Sequence, residues 1–155
     1  MAGTIDARLA ELGIEIADAA TPQANYVGYV ISGNQVFVSG QVPIVNGEVS
    51  FKGKVGDDVD LDTAVQAARA CAMNIIAQVK AACGGDLDRV VRVVRLGGFV
   101  NATSDFTQQP QVINGASDLM VEIFGDKGRH ARFAVGVGSL PLGVSVEIDA
   151  MVEIS

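Results

Sequence analysis

The run from Val144 to Ile154 alternates without interruption: Val144, Val146, Ile148, Ala150, Val152 and Ile154 are apolar, and Ser145, Glu147, Asp149, Met151 and Glu153 stand between them. Successive side chains of a strand point to opposite faces, so this run can fold only as a strand with one face buried and one outward. The buried face needs a cover, and the chain carries one upstream. Asp60 is a good N-cap, and Leu61, Val65, Ala68, Ala72, Ile75 and Val79 recur at helical spacing until Gly84-Gly85 stops the pattern. The alanines in that stripe predict close packing on a sheet. Glu147 then faces away from the helix-covered core.

The remaining elements fit around this pair. Ile5, Leu9 and Leu12 predict a short leading helix behind a Thr4 cap, ended at Gly13. Tyr26 to Ile31 and Gln35 to Ser39 flank Ser32-Gly33-Asn34 and read as two antiparallel strands. Gly40 to Asp58 carries Pro43, Asn46-Gly47, Gly53 and Gly56 and is expected to be mostly loop, with room for a short strand. Arg89 to Val100 is a Val-rich strand, and Asn101 to Gln109 is polar loop. Pro110 opens a further helix through Phe124. Arg132 to Val137 forms a strand with Arg132, Ala134 and Gly136 on one face. The order helix, strand pair, helix, strand, helix, strand pair predicts an α+β fold: a mixed β-sheet with helices on one face.

At 155 residues, 49% of them apolar and 19% charged, the chain fits one domain, 1–155, able to bury about two thirds of its unfolded surface. A net charge of -7 supplies no footprint for nucleic acid or an anionic membrane, so any anion must be held locally. Cys71 and Cys83 lie twelve apart within one helical pattern, about 18 Å at the helical rise, too far for a disulfide. Core thiols, the lack of a cationic start before a long apolar run, and the lack of an 18-residue apolar stretch predict a cytoplasmic protein.

The residues able to carry chemistry are few. Arg132 presents a planar fork that matches a carboxylate, beside residues small enough to leave room for a ligand; the alternative is a surface or interface arginine paired with an acid. Glu147, on the strand beyond the Gly138-Ser139-Leu140-Pro141-Leu142-Gly143 connection, would place a water-activating group beside that carboxylate; alternatively it is a solvent-face acid. Tyr26 reads as a half-buried strand residue or a ligand contact, and Asn114 as a polar group early in its helix. Ser39-Gly40-Gln41 could present backbone groups to a ligand, or Gly40 serves a turn. His130 is the sole histidine, and no Gly-x-Ser-x-Gly elbow accompanies it, which argues against a hydrolytic triad. No metal-ligand spacing, dinucleotide fingerprint or phosphate loop occurs, so no metal and no cofactor are expected.

Taken in order, Ala24-Asn25-Tyr26-Val27, Val36 to Pro43, Asp88 to Arg92, Phe99-Val100-Asn101, Ala131 to Val135, Leu140-Pro141 and Val146-Glu147-Ile148 resemble the Rid/YjgF family across nearly the whole chain. These are the reactive-intermediate deaminases formerly described as L-PSP endoribonucleases. Residues 1–20 resemble the helical extension of one branch, which also has a longer region from Phe106 to Asp118. The resemblance implies a trimeric chorismate mutase-like fold with sites in clefts between subunits. It implies hydrolysis of 2-imino or 2-enamino acids, such as 2-aminoacrylate, to 2-keto acids and ammonia. By motif position it implies Arg132 as the substrate-binding arginine and Glu147 as the water-associated acid, with Tyr26, Gly40 and Asn114 as further substrate contacts. The chain departs from the archetype at Ala134, where a cysteine is common, and at His130, where a proline is usual.

The expected ligand is therefore a small carboxylate-bearing imine, enamine or keto acid bound to a homotrimer, with no nucleic acid or membrane partner. Two other functions are distinguishable. A noncatalytic regulatory trimer would bind carboxylates without turnover, and a ribonuclease would need RNA cleavage that depends on His130.

Overall fold

The computed structural model describes residues 3–22 and 24–155. Its elements run α1 (Thr4–Leu12), β1 (Tyr29–Ser32), β2 (Gln35–Gln41), β3 (Ile44–Val45), β4 (Glu48–Val49), α2 (Leu61–Ala82), β5 (Val90–Asn101), α3 (Gln109–Phe124), β6 (Ala131–Val137) and β7 (Val146–Ile154). The main sheet has the order β1-β2-β7-β5-β6, antiparallel throughout except for β5 and β6. That one parallel pair exists because α3 carries the chain back over the sheet between them, as a parallel connection requires.

The C-terminal alternation becomes β7, buried at Val146, Ile148, Ala150, Val152 and Ile154 and part-exposed between them. The buried side lies under α2, whose Asp60 cap accepts a hydrogen bond from the Thr63 amide. Ala64, Ala67, Ala68 and Ala72 are fully buried along α2. Small side chains let the helices approach, and at Gly115 of α3 an added Cβ would collide with the Val65 carbonyl oxygen of α2. Around this contact Ile75, Ile76, Ile113, Leu119 and Met120 lose essentially all exposure. Each such side chain contributes about 1.5–3 kcal/mol of burial free energy. Helices cover one face only. On the other, cross-strand pairing lines up Val30 with Phe37, Phe37 with Met151, and Phe99 with both Glu147 and Val135. Val30, Phe37 and Val135 are exposed there, and Phe99 meets Phe133 edge-to-face at 5.4 Å.

Three local expectations are corrected. Thr4 does not cap α1. Gly3 occupies the cap position, and the Asp88 carboxylate accepts from the Thr4 and Ile5 amides at 2.9 and 2.8 Å. Those two bonds hold the Asp88 carboxyl below its usual range. The segment after Pro43 is mostly loop, as expected, and its two short strands, β3 and β4, pair as a hairpin turned at Asn46 (φ 52°) and Gly47 (φ 79°), the two positive-φ positions of a type I′ turn. Tyr26 precedes β1, in a bend, and is 57% exposed rather than half-buried in a strand. Finally, β6 and β7 do not neighbour each other: β5 lies between them.

Candidate functional site

The position of β5 separates the two residues on which a carboxylate-and-water site would depend. Leu96, fully buried under the helices, pairs with Arg132, so Arg132 leans to the helix side at the sheet edge. Glu147 pairs with Phe99 on the open face. One chain therefore holds its arginine and its glutamate on opposite faces, with a strand between them. The connection from Gly138 to Gly143 does not bring them together.

The glutamate half is a cleft of about 330 Å3 whose lining includes Tyr26, Ser39, Gly40, Gln78, Leu142 and Glu147. Its geometry comes from an irregularity in β2: Val38 pairs with Ala150 but Gln41 with Ile148, so Ser39 and Gly40 bulge opposite Asp149. The bulge brings the Gly40 backbone against the Glu147 carboxylate, where any Cβ would overlap Oε2. Ser39 donates its hydroxyl to the Val27 carbonyl at 2.7 Å, fixing the segment that carries Tyr26. Burial, helped by the nearby Asp149 charge, pushes the Glu147 carboxyl above its ordinary range. That direction suits a group that must pick up and return a proton near neutral pH.

The arginine half forms on α3. Arg132 donates from Nη2 to the Pro110 carbonyl at 3.3 Å and from Nη1 to Ser117 Oγ at 3.1 Å. Positions 110, 114 and 117 lie on one stripe of a helix, so Asn114, which is exposed, stands between the two groups that hold the guanidinium. Of the sequence candidates, the fold thus gathers Tyr26, Gly40 and Glu147 into one cleft and sets Arg132 beside Asn114 at another place.

Three neighbours were not picked out as candidates from the sequence. Ser117 is one helical turn beyond Asn114, a spacing that could have found it. Gln78, 3% exposed, donates to the Ala20 carbonyl at 3.0 Å and ties the N-terminal segment to the cleft wall. Leu142 is 65% exposed at positive φ (61°), a conformation costly for a branched side chain, at the cleft mouth.

The fold and cleft define a class: a mixed sheet with helices on one face and a split polar site at its margins. Residues 6–153 match the family model "YjgF/chorismate mutase-like, putative endoribonuclease". The chain is 49% identical over 154 residues to Protein TCP17 of Trypanosoma cruzi, covering 99% of this chain and 96% of that one. Among solved structures it is similar to Atu1372 of Agrobacterium tumefaciens, a protein of unknown function (TM-score 0.91, 52% identity, 97% and 92% coverage). It is also similar to a "putative endoribonuclease" of Shewanella oneidensis (TM-score 0.93, 35% identity, 98% and 100% coverage). The chain belongs to the YjgF/Rid family and has its chorismate mutase-like fold. Among the described residues no helix is long and apolar enough to cross a membrane.

Proposed function

We propose that the protein hydrolyses 2-imino or 2-enamino acids to 2-keto acids and ammonia, in clefts that form between copies of the chain. The observation that carries this reading is the separation itself: Glu147 and Arg132 lie on opposite faces of the sheet, and each sits among polar groups arranged for a ligand. The reading requires a second copy whose β6 edge meets the open face, so that its Arg132 reaches the first copy's Glu147. The exposed Val30, Phe37 and Val135 on that face favour such a contact, as does the closed symmetry common among homo-oligomers. A trimer is the assembly the family implies.

In that cleft Arg132 pairs with the substrate carboxylate in two parallel hydrogen bonds and fixes the adjacent C2. Water attacks C2 as its proton passes to Glu147, giving a tetrahedral carbinolamine. Glu147 returns that proton to nitrogen, giving the amine; the C2 hydroxyl proton then moves through Glu147 to the same nitrogen, the C–N bond breaks as the oxygen closes to a carbonyl, and ammonia leaves. An enamino acid such as 2-aminoacrylate enters after one N–H proton has shifted to C3; the resulting imine is already electrophilic, so the two protons of water are the ones Glu147 moves.

The RNA-cleaving alternative in the family description has less support here, because a chain of net charge -7 lacks the basic surface that supplies most nucleic-acid affinity. The test is to generate 2-aminoacrylate, and separately a bulkier imino acid, in situ and to follow their loss. Wild type accelerates the loss; Arg132→Ala, folded by circular dichroism, does not. No acceleration by wild type, or acceleration that Arg132→Ala retains, would overturn the proposal, and keto-acid binding without turnover would mark a regulatory trimer instead.

A further inference from the structure

Ser117 is in contact with two groups at once: Arg132 Nη1 at 3.1 Å and His130 Nε2 at 2.9 Å. The other ring nitrogen, His130 Nδ1, lies 2.6 Å from the Gly128 carbonyl oxygen. A carbonyl oxygen can only accept, so Nδ1 carries the proton, and in the neutral ring Nε2 is left as a lone pair. The Ser117 hydroxyl therefore donates to Nε2, and its oxygen is free to accept from Arg132. Every proton in the chain has one direction: Arg132 Nη1–H to Ser117 Oγ, Ser117 O–H to His130 Nε2, His130 Nδ1–H to Gly128.

We propose that Ser117 and His130 are positioning residues for Arg132, this relay holding the guanidinium in the orientation that receives the carboxylate of a 2-imino or 2-keto acid. The inference rests on the reading of Arg132 as the carboxylate-binding residue. Two observations support it besides the distances. Arg132 is anchored at both ends of its fork, on Ser117 and on the Pro110 carbonyl, which leaves its Nε–H and the second hydrogen of each amino group without a partner among the described residues. Burial, together with the Arg132 charge and against the Gly128 hydrogen bond, holds the imidazole below its ordinary range, so the neutral ring that the relay needs is the form present at neutral pH.

Protonation would reverse the link between Ser117 and His130. Nε2–H would then donate to Ser117 Oγ, and the hydroxyl proton would have to turn away. The other charged groups near His130 are engaged elsewhere: Arg129 with Asp126, Arg92 with the Arg129 carbonyl, and Glu122 with Arg69. Lys127 in the adjoining turn and Asp118 on α3 are exposed. Only Arg132 shares a hydrogen-bond partner with the ring. If the carboxylate needs the relay of the neutral ring, imidazolium weakens its binding, and by linkage bound carboxylate lowers the His130 pKa.

His130 is the sole histidine, so a single imidazole resonance reports the relay. We would measure pyruvate binding calorimetrically to wild type, Ser117→Ala, Ser117→Thr and His130→Gln, and titrate the His130 resonance with and without saturating pyruvate. The expected result is affinity about tenfold weaker in Ser117→Ala and restored to within about twofold by Ser117→Thr, with His130→Gln binding pyruvate but losing the pH dependence. The wild-type His130 pKa falls on saturation, and pyruvate affinity falls as pH drops through it. Equal affinity of Ser117→Ala and wild type, or a His130 pKa that bound pyruvate leaves unchanged or raises, overturns the inference while leaving Arg132 as the carboxylate site. Failure of wild type itself to bind pyruvate overturns both, and the two failures are thereby told apart.

Discussion

No side chain can stand at position 40 without displacing the Glu147 carboxylate, since a Cβ on Gly40 would overlap Oε2 and lie 3.1 Å from Cδ. The obstacle is the end of a flexible side chain, so Gly40→Ala should fold and the carboxylate should swing aside. Turnover of 2-aminoacrylate is expected to fall about a hundredfold, the effect of misplacing a reacting group by about 1 Å. Thermal unfolding within a few degrees of wild type would accompany the loss. Unchanged turnover would mean that the carboxylate position does not matter to the reaction.

Gly115→Ala makes the contrasting case. Its Cβ would meet the Val65 carbonyl oxygen, part of the α2 backbone, which cannot rotate away. The helices must separate, and overpacking of this kind costs about 1–3 kcal/mol, to be read as a lower urea midpoint at unchanged slope. A midpoint equal to wild type would show that the α2–α3 contact relaxes without cost.

Glu147 sets the acid limb of the pH profile. Its carboxyl is raised by burial and then by Asp149, and it must be ionised to accept the water's proton, so kcat/KM should fall on acidification at a pH above the ordinary carboxylate value. Asp149→Asn removes the neighbouring charge and should move that limb to lower pH. Stability carries the opposite sign. A carboxyl raised on folding contributes stability that is fully present below its unfolded pKa and is lost as pH rises through the folded one. Glu147→Gln should therefore gain stability relative to wild type at neutral pH and lose that advantage near pH 4, measured by thermal unfolding at both pH values.

A cleft shared between copies can be tested by complementation. Arg132→Ala and Glu147→Gln should each be inactive alone. Refolded together at equal concentration, they should recover about a quarter of wild-type activity, because three mixed trimers in four form and each contains one intact cleft of its three. No recovery from a mixture shown to exchange subunits would place both groups in one copy.

Much of this was legible in the sequence because local rules suffice for it. The β7 alternation states which side is buried, the Asp60 cap and the apolar stripe set α2, and Glu147 lies on the open face as its parity demands. Hydrophobic periodicity reports an element's type and its buried face, since both depend on residues a few positions apart.

What the amino-acid order could not express was which elements become neighbours. β6 and β7 are consecutive, yet β5 lies between them, because α3 returns the chain parallel to β5 while β7 pairs with β5 and β2. That choice depends on how the whole sheet and its helices pack, which no local window contains, and it put a strand between Arg132 and Glu147. The Asp88 cap on α1, more than eighty residues away in the chain, and the Arg132–Ser117–His130 relay have the same origin: hydrogen-bond partners brought within reach only after the core has packed. Residue types and periodicities determined the elements and the chemistry available; tertiary packing decided which groups could meet.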